Sequence, residues 1–134
     1  MDMSVQLLLE RFFGVTYLVL GLSYLTWAPR WVAIYRRALE KPDLAMVLGA
    51  IPLAMGALLV AGHNVWGLSI PGLITLIGWL ALIKGFLFLV APDWAAAVMR
   101  RFPVGMPLVF FGGAFATLVG LLAILHSFVL VYRS

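Results

Sequence analysis

Four long apolar stretches govern what this chain can become: about Val5 to Trp27, Leu44 to Gly62, about Leu68 to Val90, and about Met106 to Tyr132. A helix crossing a bilayer needs about 20 mostly apolar residues, and each stretch has that length. In hydrocarbon every backbone amide must find a partner within the protein, which leaves helices or closed barrels. Nothing here alternates with the two-residue period of a barrel strand. The expectation is an all-α membrane protein with four transmembrane helices, forming a single membrane domain over residues 1–134. Pro52 and Pro71 are expected to kink their helices. Composition points the same way, since 65% of the residues are apolar and 10% are charged, against roughly 25% charged in a soluble domain. With no cysteine in the chain, a disulfide framework, thiolate catalysis and cysteine-ligated metals are excluded.

The basic residues set the direction of the spans. Arg30, Arg36, Arg37 and Lys41 follow the first span, and Arg100 and Arg101 follow the third, so both clusters belong on one side. On the other side, only Arg11 and Arg133 lie near the surface, and the His63–Gly67 loop has no formal charge. The positive-inside rule then puts both termini outside the cytoplasm, in a bacterial inner membrane. Met1-Asp2-Met3 has no basic region ahead of its apolar stretch, unlike a cleaved signal peptide. The six elbow cations are expected to contact anionic phospholipid headgroups, and the basic balance is not read as nucleic-acid binding.

Comparing the halves gives a repeated pattern. Ala28-Pro29-Arg30-Trp31 returns as Ala91-Pro92-Asp93-Trp94, and Arg36-Arg37 as Arg100-Arg101. Gly14 and Gly21 correspond to Gly78 and Gly85, and Gly49 and Gly56 to Gly113 and Gly120, each shifted by 64 positions. This order argues for a helix, elbow, helix unit used twice, about 5–64 and 68–132. Each unit crosses twice, so the expected arrangement is two parallel-repeat helical hairpins related by an axis along the membrane normal. The elbows read as amphipathic and interfacial, with Trp31 and Trp94 as anchors. In the first, Trp31, Ile34, Tyr35 and Ala38 share a face opposite Arg30, Arg37 and Lys41. In the second, Trp94, Val98 and Phe102 repeat the apolar face, with Asp93 and Arg100 towards water. Glycines seven apart lie on one helical face and permit close backbone approach. Gly112, Ala116 and Gly120 add a small-residue face for bundle packing or homodimerisation.

Ionisable groups inside spans are costly and so are functional candidates. Glu10 and Arg11 in the first span, His63 and Asn64 at the end of the second, and His126 and Ser127 near the end of the fourth should share one depth. This outer polar layer is the best candidate site. Its chemistry stays open. It can be a structural set in which Glu10 pairs with Arg11 or an imidazole. It can be a His and carboxylate site for Zn²⁺ or Cu²⁺, a proton carrier, or a b-type haem or quinone site with His63 and His126 as ligands. No metal or cofactor is assigned, because metal sites usually show several ligands at one-turn spacing. Lys84, roughly 7 Å from the middle of the third span at ~1.5 Å per residue, either snorkels to the elbow-side headgroups or binds an acidic ligand or a proton. Phe86, Phe88, Phe110 and Phe111 read as lipid-facing or core. No nucleophile elbow, phosphate loop or acid–base pair is present.

The segments Gly62-His63-Asn64-Val65-Trp66, Thr75-Leu76-Ile77-Gly78-Trp79 and Lys84-Gly85 resemble the signature of an uncharacterised family of small bacterial four-helix integral membrane proteins. That resemblance covers nearly the whole chain and singles out His63, Asn64, Trp66, Thr75, Trp79 and Lys84. Gly21-Leu22, Trp31, Pro42-Asp43 and Gly49 resemble the spacing of two-helix inner-membrane proteins of the YjeT type. The second half departs from it, with Met106-Pro107 where the first has Pro42-Asp43. Neither resemblance implies a reaction. The function expected is a non-enzymatic membrane accessory or interaction subunit, with a membrane-protein partner or a second copy of itself. A small carrier or channel and a haem- or quinone-binding anchor subunit are the alternatives.

Overall fold

The computed structural model describes residues 3–102 and 104–129. Tyr132 and Arg133, at the expected end of the fourth span, lie outside the described residues. Six helices follow one another: α1 (Met3–Thr26), α2 (Ala28–Glu40), α3 (Pro42–Gly62), α4 (Ile70–Val90), α5 (Pro92–Met99) and α6 (Met106–Phe128). Helices α1, α3, α4 and α6 are long and apolar enough to cross a membrane. The short amphipathic helix α2 bridges α1 to α3, and α5 bridges α4 to α6.

Proline sets most of the helix starts. Pro29, Pro42, Pro71, Pro92 and Pro107 each sit in the first turn of α2 to α6, where an amide donor would be unpaired anyway. Pro71 therefore opens α4 and does not kink it. Pro52 lies inside α3, which runs through it unbroken. Asp43 and Asp93 place negative charge in the first turns of α3 and α5, at the positive end of the helix dipole. Ser69 caps α4 by accepting from Gly72 N at 3.2 Å. Gly67, at φ +148°, turns the loop between α3 and α4 back on itself. A side chain at Gly72 would meet the Gly67 carbonyl.

The closest helix partners are α1 with α6 and α3 with α4, each antiparallel. Lipid tails are as apolar as the side chains, so such pairs are held by backbone proximity and van der Waals contact. Gly14 lies against the Gly120 carbonyl and Gly21 against the Gly113 carbonyl; in the other pair Gly56 meets Gly78 and Gly49 meets Gly85. A Cβ at Gly120 would come 2.5 Å from Leu18 N, and one at Gly85 2.5 Å from Leu53 N. Gly112 points away from that contact, its nearest neighbour being Tyr24 at 4.0 Å.

Between the pairs, the core is thickest at the end where α3 stops. Leu9, Phe13, Met55, Leu59, Ile74, Ile77, Val119 and Ala123 pack together there. At the elbow end, smaller clusters tuck the elbows against the spans through Ala38, Ala45, Phe88 and Ala95 and through Ala28, Val32 and Val109. The first elbow buries Ala38 and half-buries Trp31, Ile34 and Tyr35, while Arg30, Arg37 and Lys41 are exposed. The second differs from the sequence expectation. Helix α5 has only eight residues, so Phe102 falls beyond it, and Trp94 and Phe102 are both exposed. Its bundle-facing residues are Ala95, Ala96 and Met99. Arg36 Nε donates to the Val104 carbonyl at 3.3 Å, and Arg100 donates to the Leu39 carbonyl at 3.2 and 3.3 Å, so each arginine ties its elbow to the opposite one.

Candidate functional site

At the end away from the elbows, α1, α3 and α6 converge on a single carboxylate. Glu10 is 3% exposed. Its Oε1 accepts from His63 Nε2 at 2.8 Å, and its Oε2 accepts from His126 Nδ1 at 2.9 Å. Both distances also satisfy an ion pair if the imidazoles are protonated. His63 caps α3 and is fully buried, whereas the His126 side chain, on the last turn of α6, is 25% exposed. One carboxylate thus joins three of the four spans.

Thr75 brings in the fourth. Its Oγ1 lies 2.9 Å from His63 Nδ1, accepts from Val65 N at 3.0 Å, and can donate to the His63 carbonyl at 3.2 Å. The hydroxyl carries one hydrogen, so it takes one of two positions. Pointed at Nδ1, it matches a neutral ring whose proton faces Glu10. Turned to the carbonyl, it leaves its oxygen to accept from Nδ1–H, which matches an imidazolium. The rotor therefore satisfies either charge state of His63 without backbone movement. Among the described residues no buried side-chain nitrogen or oxygen lacks a hydrogen-bond partner.

The remaining members of the layer are divided between neighbours. The Arg11 guanidinium donates to the Ser127 carbonyl at 3.1 Å through Nη2 and 3.4 Å through Nε, and lies 4.3 Å from the Phe128 ring centre. Glu10 and Arg11, adjacent in sequence, thus bind different partners. Ser127 Oγ donates back to the Ala123 carbonyl at 2.7 Å. Asn64 is exposed; its amide donates to the Val60 carbonyl, and its Oδ1 accepts from Trp79 Nε1 at 3.2 Å. No group of three or more His, Asp or Glu side chains among the described residues is arranged to hold a metal ion.

Lys84 lies far from this layer, at the elbow end. Its ammonium is 6.0 Å from the Tyr35 ring centre and 5.8 Å from that of Phe88. These groups border a cavity of about 240 Å³ between the two helix pairs, also lined by Tyr17, Tyr24 and Trp31. Two hydrogen bonds tie α1 to the first elbow there: Trp31 Nε1 donates to Ser23 Oγ at 2.9 Å, and the Tyr24 and Tyr35 hydroxyls bond each other. Of the six expected headgroup contacts, Arg30, Arg37, Lys41 and Arg101 are exposed; Arg36 and Arg100, also exposed, make the carbonyl bonds across the elbows.

Sequence reasoning singled out Glu10, His63 and His126 as sharing a depth but left Thr75 out of that layer. The available signal was a lone hydroxyl twelve residues past His63 in an otherwise apolar stretch. It missed the Tyr24–Tyr35 bond and the cavity, because the apolar face of an elbow does not announce which span it folds against. No protein-family model, no curated protein and no solved structure matches this chain.

Proposed function

We propose that this chain is a non-enzymatic accessory subunit of a bacterial inner membrane, built from a duplicated helix, elbow, helix unit. Its elbows face the cytoplasm and its termini the other side, as the placement of Arg30, Arg36, Arg37, Lys41, Arg100 and Arg101 supports. Duplication is supported by the glycine contacts. Adding 64 to Gly14 and Gly21 gives Gly78 and Gly85, and subtracting 64 from their partners Gly120 and Gly113 gives Gly56 and Gly49. One pair of spans is thus the counterpart of the other. Arg36 and Arg100, also 64 apart, make reciprocal bonds whose acceptors, Val104 and Leu39, correspond to within one position.

The observation that carries the reading is the closure of the Glu10 layer. Both Glu10 oxygens and both His63 ring nitrogens are bonded to groups on other helices, so the set works as a fastener of the bundle. Haem ligation would require His63 to give up one of these bonds. Extraction in mild detergent followed by native mass spectrometry tests the reading, with a stoichiometric protein partner as the expected result. A chain that always runs alone as one homogeneous oligomer contradicts it.

A second reading, a small carrier, is favoured by the contrast between one packed end and one hollow end of the bundle. Flux in proteoliposomes above that of empty vesicles, reduced in Lys84→Met, is its signature.

A further inference from the structure

The elbow-end cavity has a chemistry of its own, whichever of those readings holds. Its wall combines the rings of Tyr17, Tyr24, Trp31, Tyr35, Phe88 and Phe115 with aliphatic side chains, and its one formally charged side chain is Lys84. No carboxylate pairs with Lys84 among the described residues; its contacts are the Tyr35 and Phe88 rings. Lys84 is an exposed residue that also lines the cavity, and an ammonium beside an apolar cavity within a span is complementary to an anion that brings its own apolar body.

The hydroxyl protons narrow the headgroup. Tyr24 and Tyr35 hold two protons between them, and their mutual bond uses one. The other has no acceptor among the described residues. Trp31 Nε1 is already committed to Ser23. The cavity thus offers one ammonium and the spare proton of the Tyr24–Tyr35 pair, which match the two oxygens of a carboxylate; Thr16 and Tyr17, which also carry hydroxyls, lie on the same wall. A phosphate monoester carries about −1.5 to −2 charge, more than the single ammonium balances.

Size narrows the tail. At about 240 Å³, the space is below the roughly 300–1,000 Å³ of drug-sized ligand sites. It accommodates a headgroup and the first part of one chain, and its open side lets the rest run into the surrounding hydrocarbon. That volume suits a single-chain amphiphile better than a two-tailed lipid.

We infer that the cavity between the helix pairs binds a single-chain amphiphile with a carboxylate head, the head held by Lys84 and the Tyr24–Tyr35 hydroxyl pair. The test uses the purified full-length chain in a mild non-ionic detergent, with oleate, oleyl alcohol and an oleoyl lysophosphatidic acid as probes in native mass spectrometry. Oleate is expected to bind one to one and about tenfold or more tighter than oleyl alcohol, the scale of a charge-assisted hydrogen bond. Lysophosphatidic acid is expected to bind more weakly than oleate. Lys84→Met abolishes the preference for oleate over the alcohol, and Lys84→Arg keeps most of it. Equal binding of oleate and alcohol, tighter binding of the phosphate, or an unchanged preference in Lys84→Met overturns the inference. Should Lys84→Met fail to purify as a single species, Tyr35→Phe serves in its place: a loss of part of the preference supports the site, and no change overturns it.

Discussion

At the histidine end three spans meet on the Glu10 carboxylate above a packed apolar core, whereas at the elbow end the two helix pairs part around a cavity whose only formally charged lining residue is Lys84. Both ends rest on the same glycine contacts within α1·α6 and α3·α4. The ends therefore differ in what bridges the two pairs. In lipid, apolar side chains gain little by leaving tails for neighbours. A polar cluster with its bonds satisfied across helices can close a gap that apolar contact leaves open. The cost of leaving any one of its members unpaired then keeps it closed.

The largest effect should follow from removing the shared bridge. Interhelical hydrogen bonds in membranes contribute up to about 1–2 kcal/mol each, so Glu10→Ala should destabilise the bundle by about 2–4 kcal/mol. Thermal unfolding of the full chain in detergent reads this directly. If Glu10→Ala were no more damaging than Lys84→Met, the two ends would not differ as described.

Next come substitutions that should not distinguish the ends. Gly120→Ala, nearer the histidine end, and Gly85→Ala, nearer the elbows, each drive a Cβ into a neighbouring backbone, and overpacking of this kind costs about 1–3 kcal/mol. Similar losses from both are expected in the same assay, with Gly112→Ala, whose Cβ would come no nearer than 4.0 Å to a neighbour, close to wild type. A large asymmetry would mean that one helix pair carries the fold.

A smaller loss, about 1–2 kcal/mol, is expected from Thr75→Val. That change keeps the shape but removes the hydroxyl from His63 Nδ1 and Val65 N. Because the rotor is lost, the nitrogen chemical shifts of His63 should also change, while those of His126 stay near wild type. Equal shifts at both rings would show that Thr75 does not act through His63.

The smallest effect belongs to Lys84→Met. Without a carboxylate partner, Lys84 contributes little to folding, and a change within about 0.5 kcal/mol is expected, measured by the same unfolding curves. A large loss would make the elbow end a second fastened region and remove the contrast.

The parts of this arrangement visible in the sequence are those the membrane makes expensive. Crossing lengths and their limits could be read to within a few residues because hydrocarbon demands long uncharged helices. Glu10, His63 and His126 stood out because ionisable groups are rare in such segments. What could not be read is which helix touches which, since hydropathy is silent on neighbours where the surroundings are as apolar as the side chains. Glycine spacing gave the faces, but choosing between Gly112 and Gly113 as the contact on α6 needed the helix rotation. Helix α5 ended earlier than its resemblance to α2 implied, which left Phe102 outside it. The cavity was hidden for a related reason: Trp31 and Tyr35 could be placed on the elbow's apolar face, but only folding that elbow back against α1 brings them to Tyr24.

One carboxylate joining two imidazoles from different spans is a junction that labelling can reach with little ambiguity, because the chain has two histidines and two glutamates, Glu10 and Glu40. Solid-state NMR of the full chain in lipid, with ¹³C-glutamate and ¹⁵N-histidine, measures the carboxyl-to-imidazole couplings. The Glu10 carboxyl is expected to couple to both His63 Nε2 and His126 Nδ1 at hydrogen-bond range, and Glu40 to neither. Coupling to one ring only, or to none, would contradict that junction.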